Sequence, residues 1–171
     1  MDGSFAVLMF IIGLWDMNKN YCPDQGCLTR HQVQAYNAVS AGNVFFNGDN
    51  VGNEIYIRRN TGLANGPFQT IYGLSATDTN DYWVGIGHAY TWTNAQDNFF
   101  VQLHAMPGIY SRGSGKDLGG PIEFRSGIEV GYQARNGVRY GLSLDHRSNA
   151  EIYSKNSGLE TLQFRVSIPT N

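Results

Sequence analysis

Apolar and polar residues alternate along the last third of the chain with a period of two, the spacing that sends successive side chains to opposite faces of a β-strand. From 138 to 148 one parity reads Val138, Tyr140, Leu142, Leu144, His146 and Ser148, and the other Arg139, Gly141, Ser143, Asp145 and Arg147. From 160 to 168, Glu160, Leu162, Phe164, Val166 and Ile168 oppose Thr161, Gln163, Arg165 and Ser167. A third segment agrees: Phe124, Ile128, Val130 and Tyr132 alternate with Arg125, Gly127, Glu129, Gly131 and Gln133. Three neighbouring strands thus share an apolar face and a charged face. Upstream, strand and turn signals recur at regular spacing, and the pattern predicts strands at 38–47, 51–59, 68–76, 82–93, 98–111, 123–133, 137–149 and 158–169.

An apolar face can cover a soluble core, or it can face lipid around a polar, ion-paired lumen. Aromatic residues at the ends of one strand, Tyr82, Trp83, Tyr90 and Trp92, favour lipid, because such residues form interfacial girdles. The expected fold is therefore all-β: an eight-stranded antiparallel up-and-down transmembrane β-barrel over 38–171. The lumen positions Arg125, Glu129, Arg139, Asp145 and Arg165 are expected to fill it as a structural charge network. His88 and His104 are expected to serve packing or lumen hydrogen bonding.

Composition adds limits. The 171 residues suffice for one such barrel, and 21 glycines with only 5 prolines suit many strands joined by turns. A net charge of −2 and the lack of any Lys/Arg run give no nucleic-acid partner. Residues 1–37 stand apart as a leader-like apolar run followed by a polar connector. Phe5 to Trp15 has the length of a signal-peptide core and is too short to span a bilayer as a helix, yet Asp2 stands where a basic residue is expected. A degenerate leader, an amphipathic segment and part of a strand remain open. Cys22 and Cys27 allow a small disulfide loop or two free thiols, and without nearby His or Cys they make a poor zinc site.

The chemistry lies where the apolar face ends. His146 and Ser148 share that face, roughly 6.5 Å apart along the strand. If 149–157 is the loop, His146 lies directly opposite Glu160, with Cβ atoms about 4.5–5.5 Å apart. A carboxylate on an apolar face is costly unless it is used. Serine, histidine and carboxylate in this order suit acyl transfer: His146 takes the Ser148 proton, and Glu160 fixes the imidazole tautomer. Oxyanion donors are expected from the Asn149 side-chain amide or from backbone N–H groups around Asn149 and Ala150.

The run His146-Arg-Ser148-Asn149-Ala150, then Ser157-Gly158-Leu159-Glu160-Thr161, and finally Phe164-Arg-Val-Ser-Ile168-Pro169 resembles the C-terminal signature of outer-membrane lipid A 3-O-deacylases of the PagL type. Phe124, the Asn136-Gly137 turn, Asn156-x-Gly158 and the histidine-to-glutamate spacing are similar too. The resemblance covers about 120 to 169. It implies Ser148 as nucleophile, His146 as base, Glu160 as orienting acid, Asn149 at the oxyanion, and Phe124, Asn156 and Gly158 as substrate-binding positions. The implied reaction is hydrolysis of the ester at position 3 of lipid A in the outer membrane, needing no cofactor and no metal. Two other classes remain open: a non-catalytic outer-membrane barrel that binds a partner, and a soluble lipocalin-like lipid-binding barrel.

Overall fold

A computed structural model describes residues 3–24 and 26–170. Asp2, the acidic residue heading the leader-like run, and Asn171, the last residue of the expected barrel domain, lie outside the described residues. Among these, one helix, α1 (Ser4–Asn20), precedes a short strand, β1 (Arg30–Gln32). Eight long strands follow: β2 (Ala35–Phe46), β3 (Asp49–Asn65), β4 (Phe68–Thr77), β5 (Tyr82–Thr93), β6 (Phe99–Ser111), β7 (Ile122–Gln133), β8 (Arg139–Ser148) and β9 (Leu159–Thr170). Each pairs antiparallel with the next, and β2 pairs with β9, so the sheet closes as an up-and-down barrel without a free edge.

The parity of the sequence sets which side faces out. Val39, Ile57, Leu74, Val84, Ile109, Val130, Leu142 and Phe164 lie on the outer wall and are about half exposed, forming an apolar belt. Its lower rim carries aromatic residues: Phe99 pairs across the sheet with Tyr132, and Tyr132 with Tyr140. The Phe99 and Tyr132 rings meet edge to face at 5.6 Å. Trp92 and Tyr82 are exposed as a girdle requires. Trp83 is not part of it. One residue out of phase with Tyr82, it is fully buried in the lumen, where its indole N–H donates to the Glu123 carbonyl. Gly85 and Gly108 leave space for its ring, which an added Cβ would approach within 2.4 and 2.5 Å.

The lumen is polar and paired. Arg125 bonds Glu54 and Asp145, each at 2.7 Å, Arg147 also reaches Glu54, and Glu129 accepts from Arg58 at 2.9 Å and Arg165 at 2.5 Å. Four of the five expected lumen charges belong to this cluster. Arg139 sits apart, donating to Gln133 at 2.7 Å beneath the Tyr36 and Phe100 rings. Glu54, Arg58 and Arg147 complete the network. Among the described residues such a filled, charged interior shows no apolar cavity of the lipocalin kind.

One local correction concerns the first half. Asn60-Thr61-Gly62 reads as a turn, yet β3 runs through it with a register irregularity between Asn60 and Ala64, because β1 supplies a second partner at 63–65. The turn comes later, at Gly66-Pro67. Phe5 to Trp15 is helical, within α1, and Cys22 and Cys27 are joined in a disulfide. No helix among the described residues is long and apolar enough to cross a membrane.

Candidate active site

The two ends of the barrel differ. At one end the connections are the short turns at 66–67, 94–98 and 134–138, while the other carries the ten-residue segments 112–121 and 149–158. Outer-membrane barrels keep short turns on the periplasmic side and long loops outside. The loop end is where the sequence places its chemistry.

His146 is third from the loop end of β8, and Glu160 is second in β9. They pair directly across the ladder, as the sequence register requires. His146 Nδ1 lies 3.3 Å from Glu160 Oε1, with the imidazole nearly buried and the carboxylate about a quarter exposed. Nδ1 is thus the ring nitrogen turned toward the carboxylate. Ser148 stands two residues along on the same face, and it lines a cavity of about 1260 Å³ together with His146 and Glu160.

The remaining positions divide. Phe124 is directly opposite Ser148 on β7 and lines the cavity, as do Asn156 and Gly158. An added Cβ at Gly158 would lie 2.5 Å from His146 Cε1, so glycine is what lets the imidazole occupy its place. Gly158→Ala is therefore expected to displace the ring from Glu160 and lower kcat by about 10- to 100-fold, the scale of an ångström misplacement. The barrel should still fold; unchanged kcat with a folded protein would contradict this.

Asn149 is placed differently from the cavity residues. It is fully buried, and its Nδ2 donates to the carbonyls of Leu118 at 2.6 Å and Lys155 at 2.7 Å. Its backbone N–H donates to Asn156 Oδ1 at 3.1 Å. Both side-chain hydrogens are thus used: the bond to Leu118 ties the two long loops together, and the bond to Lys155 closes the 149–158 loop on itself. Lys155 adds a second tie, 3.0 Å from Asp117, and together with the Gly119 N–H it holds the Asp117 carboxyl below the ordinary carboxylate range. That tie is present at neutral pH and is lost as pH falls through the lowered value. Beyond Asn149 the backbone turns left-handed twice, at Ala150 (φ 52°) and Glu151 (φ 63°), and both residues line the cavity. Consecutive non-glycine residues in that region are uncommon and cluster at functional sites.

Several cavity residues are not evident from the local pattern. Phe45 pairs with Glu160 from β2, the Asn47-Gly48 turn forms part of the rim, and Ala105 and Ser126 supply small floor positions on β6 and β7. Ala6, Met9 and Phe10 come from α1. Only the closed register could bring these strands to one place. Among the described residues no cluster of His, Cys, Asp and Glu suits a metal ion. His104 is buried in the lumen 3.7 Å from Asp145, and His88 is exposed on the outer wall beside the Phe68 ring.

Known proteins resemble this chain in two ways. Among solved structures, the outer-membrane enzyme PagL matches with a TM-score of 0.65 at 18% identity, covering 79% of this chain and 99% of that one. A transmembrane β-barrel from a de novo design study matches at 0.57 and 9% identity, over 82% and 98%. Neisserial surface protein A matches at 0.55 and 14%, over 83% and 99%. At such identities the likeness concerns the fold. No curated protein sequence matches the chain. The sequence profile of one family, lipid A 3-O-deacylase (PagL), matches residues 53–169, from within β3 to the penultimate residue of β9. The chain belongs to the lipid A 3-O-deacylase (PagL) family of outer-membrane enzymes.

Proposed function

We propose that this barrel removes the 3-O-acyl chain of lipid A with Ser148 as nucleophile, His146 as general base and Glu160 as the group that orients the imidazole. The observation that carries this reading is the 3.3 Å contact between His146 and Glu160 on the outer wall, beside Ser148 and level with the long loops. A lipid in the outer leaflet reaches that wall laterally without entering the barrel.

In this mechanism Ser148 Oγ attacks the ester carbonyl while its proton passes to His146 Nε2. Catalytic hydrogen bonds of this kind tighten when substrate is bound, so a small rotation of Ser148 completes the contact. The tetrahedral oxyanion is held by the Ala150 N–H at the start of the left-handed pair, rather than by the committed Asn149 amide. In this arrangement Asn149 acts as a positioning residue, fixing the loop that presents Ala150. Collapse of the intermediate sends the proton from His146 to the departing sugar oxygen. Water, deprotonated by the same imidazole, then releases the 3-hydroxy fatty acid and restores Ser148. Phe124 and Asn156 border the acyl and polar ends of the substrate.

Purified protein in detergent micelles tests this reading by release of 3-hydroxy fatty acid from lipid A. Glu160→Ala should reduce kcat on the order of 10²-fold, less than loss of the nucleophile or base, because an orienting group contributes less. A Glu160 variant with wild-type kcat would remove it from the mechanism.

A further inference from the structure

We propose that α1 forms the outer wall of the channel that receives the departing acyl chain, and that Met9 sets how long a chain the enzyme accepts. This rests on the proposed site, and it concerns a part of the chain outside the family match.

The channel follows from register. Glu160, His146, Ser126, Ala105 and His88 are successive direct partners across β9, β8, β7, β6 and β5. Glu160 is second in its strand from the loop end and His146 third, whereas Ser126 is fifth and Ala105 and His88 are seventh. The row therefore descends from the triad into the membrane as it passes around the barrel. Ser126 and Ala105 are small, and the neighbouring outward rows carry larger residues: Phe124 and Pro107 above, Ile128 and Leu103 below. A trench results, and it spans about 14 Å from His146 to His88 over three interstrand steps.

α1 covers this trench. Gly3, Ala6, Met9 and Phe10 line the same cavity as Ser148, so the helix begins level with the triad. Its other end reaches the opposite rim, where Met17 lies beside the Gly66 turn. The helix is about 25 Å long, matching the apolar band of an outer-membrane barrel. Val7, Ile11 and Trp15 project away from the barrel and are about 60% exposed, so the outer face is as apolar as lipid requires. The disulfide at Cys22–Cys27 and the β1–β3 pairing follow directly and fasten the lower end.

Met9 closes the trench from below. It is fully buried against Phe68 and Leu103, themselves nearly buried although they belong to the outer wall. An acyl chain running down from Ser148 between α1 and the barrel ends at this plug.

The test uses the full chain with lipid A species that differ only in the length of the 3-O-acyl group. Met9→Ala should raise the kcat/KM ratio of longer to shorter chains about tenfold, the scale of one or two methylenes in an apolar pocket, and Met9→Trp should lower it. Heat-dependent gel mobility confirms that both variants fold. Unchanged ratios in both folded variants overturn the proposal, as does a mature outer-membrane chain whose N-terminal sequence begins beyond Asn20. Failure of the site itself reads differently: wild type and Ser148→Ala would then have equal activity on every chain length.

Discussion

Replacing Ser148 by alanine is expected to lower deacylation of lipid A on the order of 10⁴-fold or more, and His146→Ala to do nearly as much. The two act as one unit, so the double variant should be little worse than either single one. Each change sits on the outer wall near a strand end and leaves the register of β8 and β9 intact. Folding should therefore survive, as checked by heat-dependent gel mobility and by the circular dichroism of the barrel. Steady-state kinetics in micelles on the folded variants supplies the number. Loss of folding in both variants would instead make His146 and Ser148 parts of a structural cluster.

The second large effect concerns stability. Glu54 accepts from Arg125 at 2.7 Å, from Gln163 at 2.7 Å and from Arg147, all within the buried lumen. Glu54→Ala takes the carboxylate partner from Arg147 and leaves Arg125 with Asp145 alone, and breaking a buried pair in this way costs about 3–5 kcal/mol. The midpoint of refolding in urea should shift accordingly, while Glu54→Gln, which keeps an acceptor for one arginine, should lose less. Activity per folded molecule should be nearly unchanged, since the carboxylate lies on the opposite side of the wall from the triad. A Glu54→Ala midpoint equal to wild type would show that the network contributes little beyond filling space.

Much of the fold is legible because a closed membrane barrel enforces one rule on every strand. Each side chain meets either lipid or a packed polar lumen, so parity alone separates Leu142 from Ser143 and Phe164 from Arg165. The same rule corrects Trp83: its aromatic character points to the girdle, but its parity puts it inside. The pairing of His146 with Glu160 is legible because both lie on one hairpin whose loop length fixes the register. Positions set by nonlocal contacts are not. Asn60-Thr-Gly looks like a turn, yet β3 continues through it to residues 63–65, where β1 pairs, and nothing near Asn149 in sequence reveals that its amide bonds Leu118. Ala105, Ser126 and Phe45 become cavity residues only through the register of strands distant in sequence. The contact of α1 with the barrel follows from no periodicity, because an apolar helix in lipid needs no polar face.

The most direct measurement is mass spectrometry of lipid A from cells that carry either the wild-type chain or Ser148→Ala, with both proteins confirmed in the outer membrane. The account predicts loss of one 3-hydroxyacyl chain with the wild type and intact lipid A with the variant. Intact lipid A in both, or the same loss in both, would contradict it.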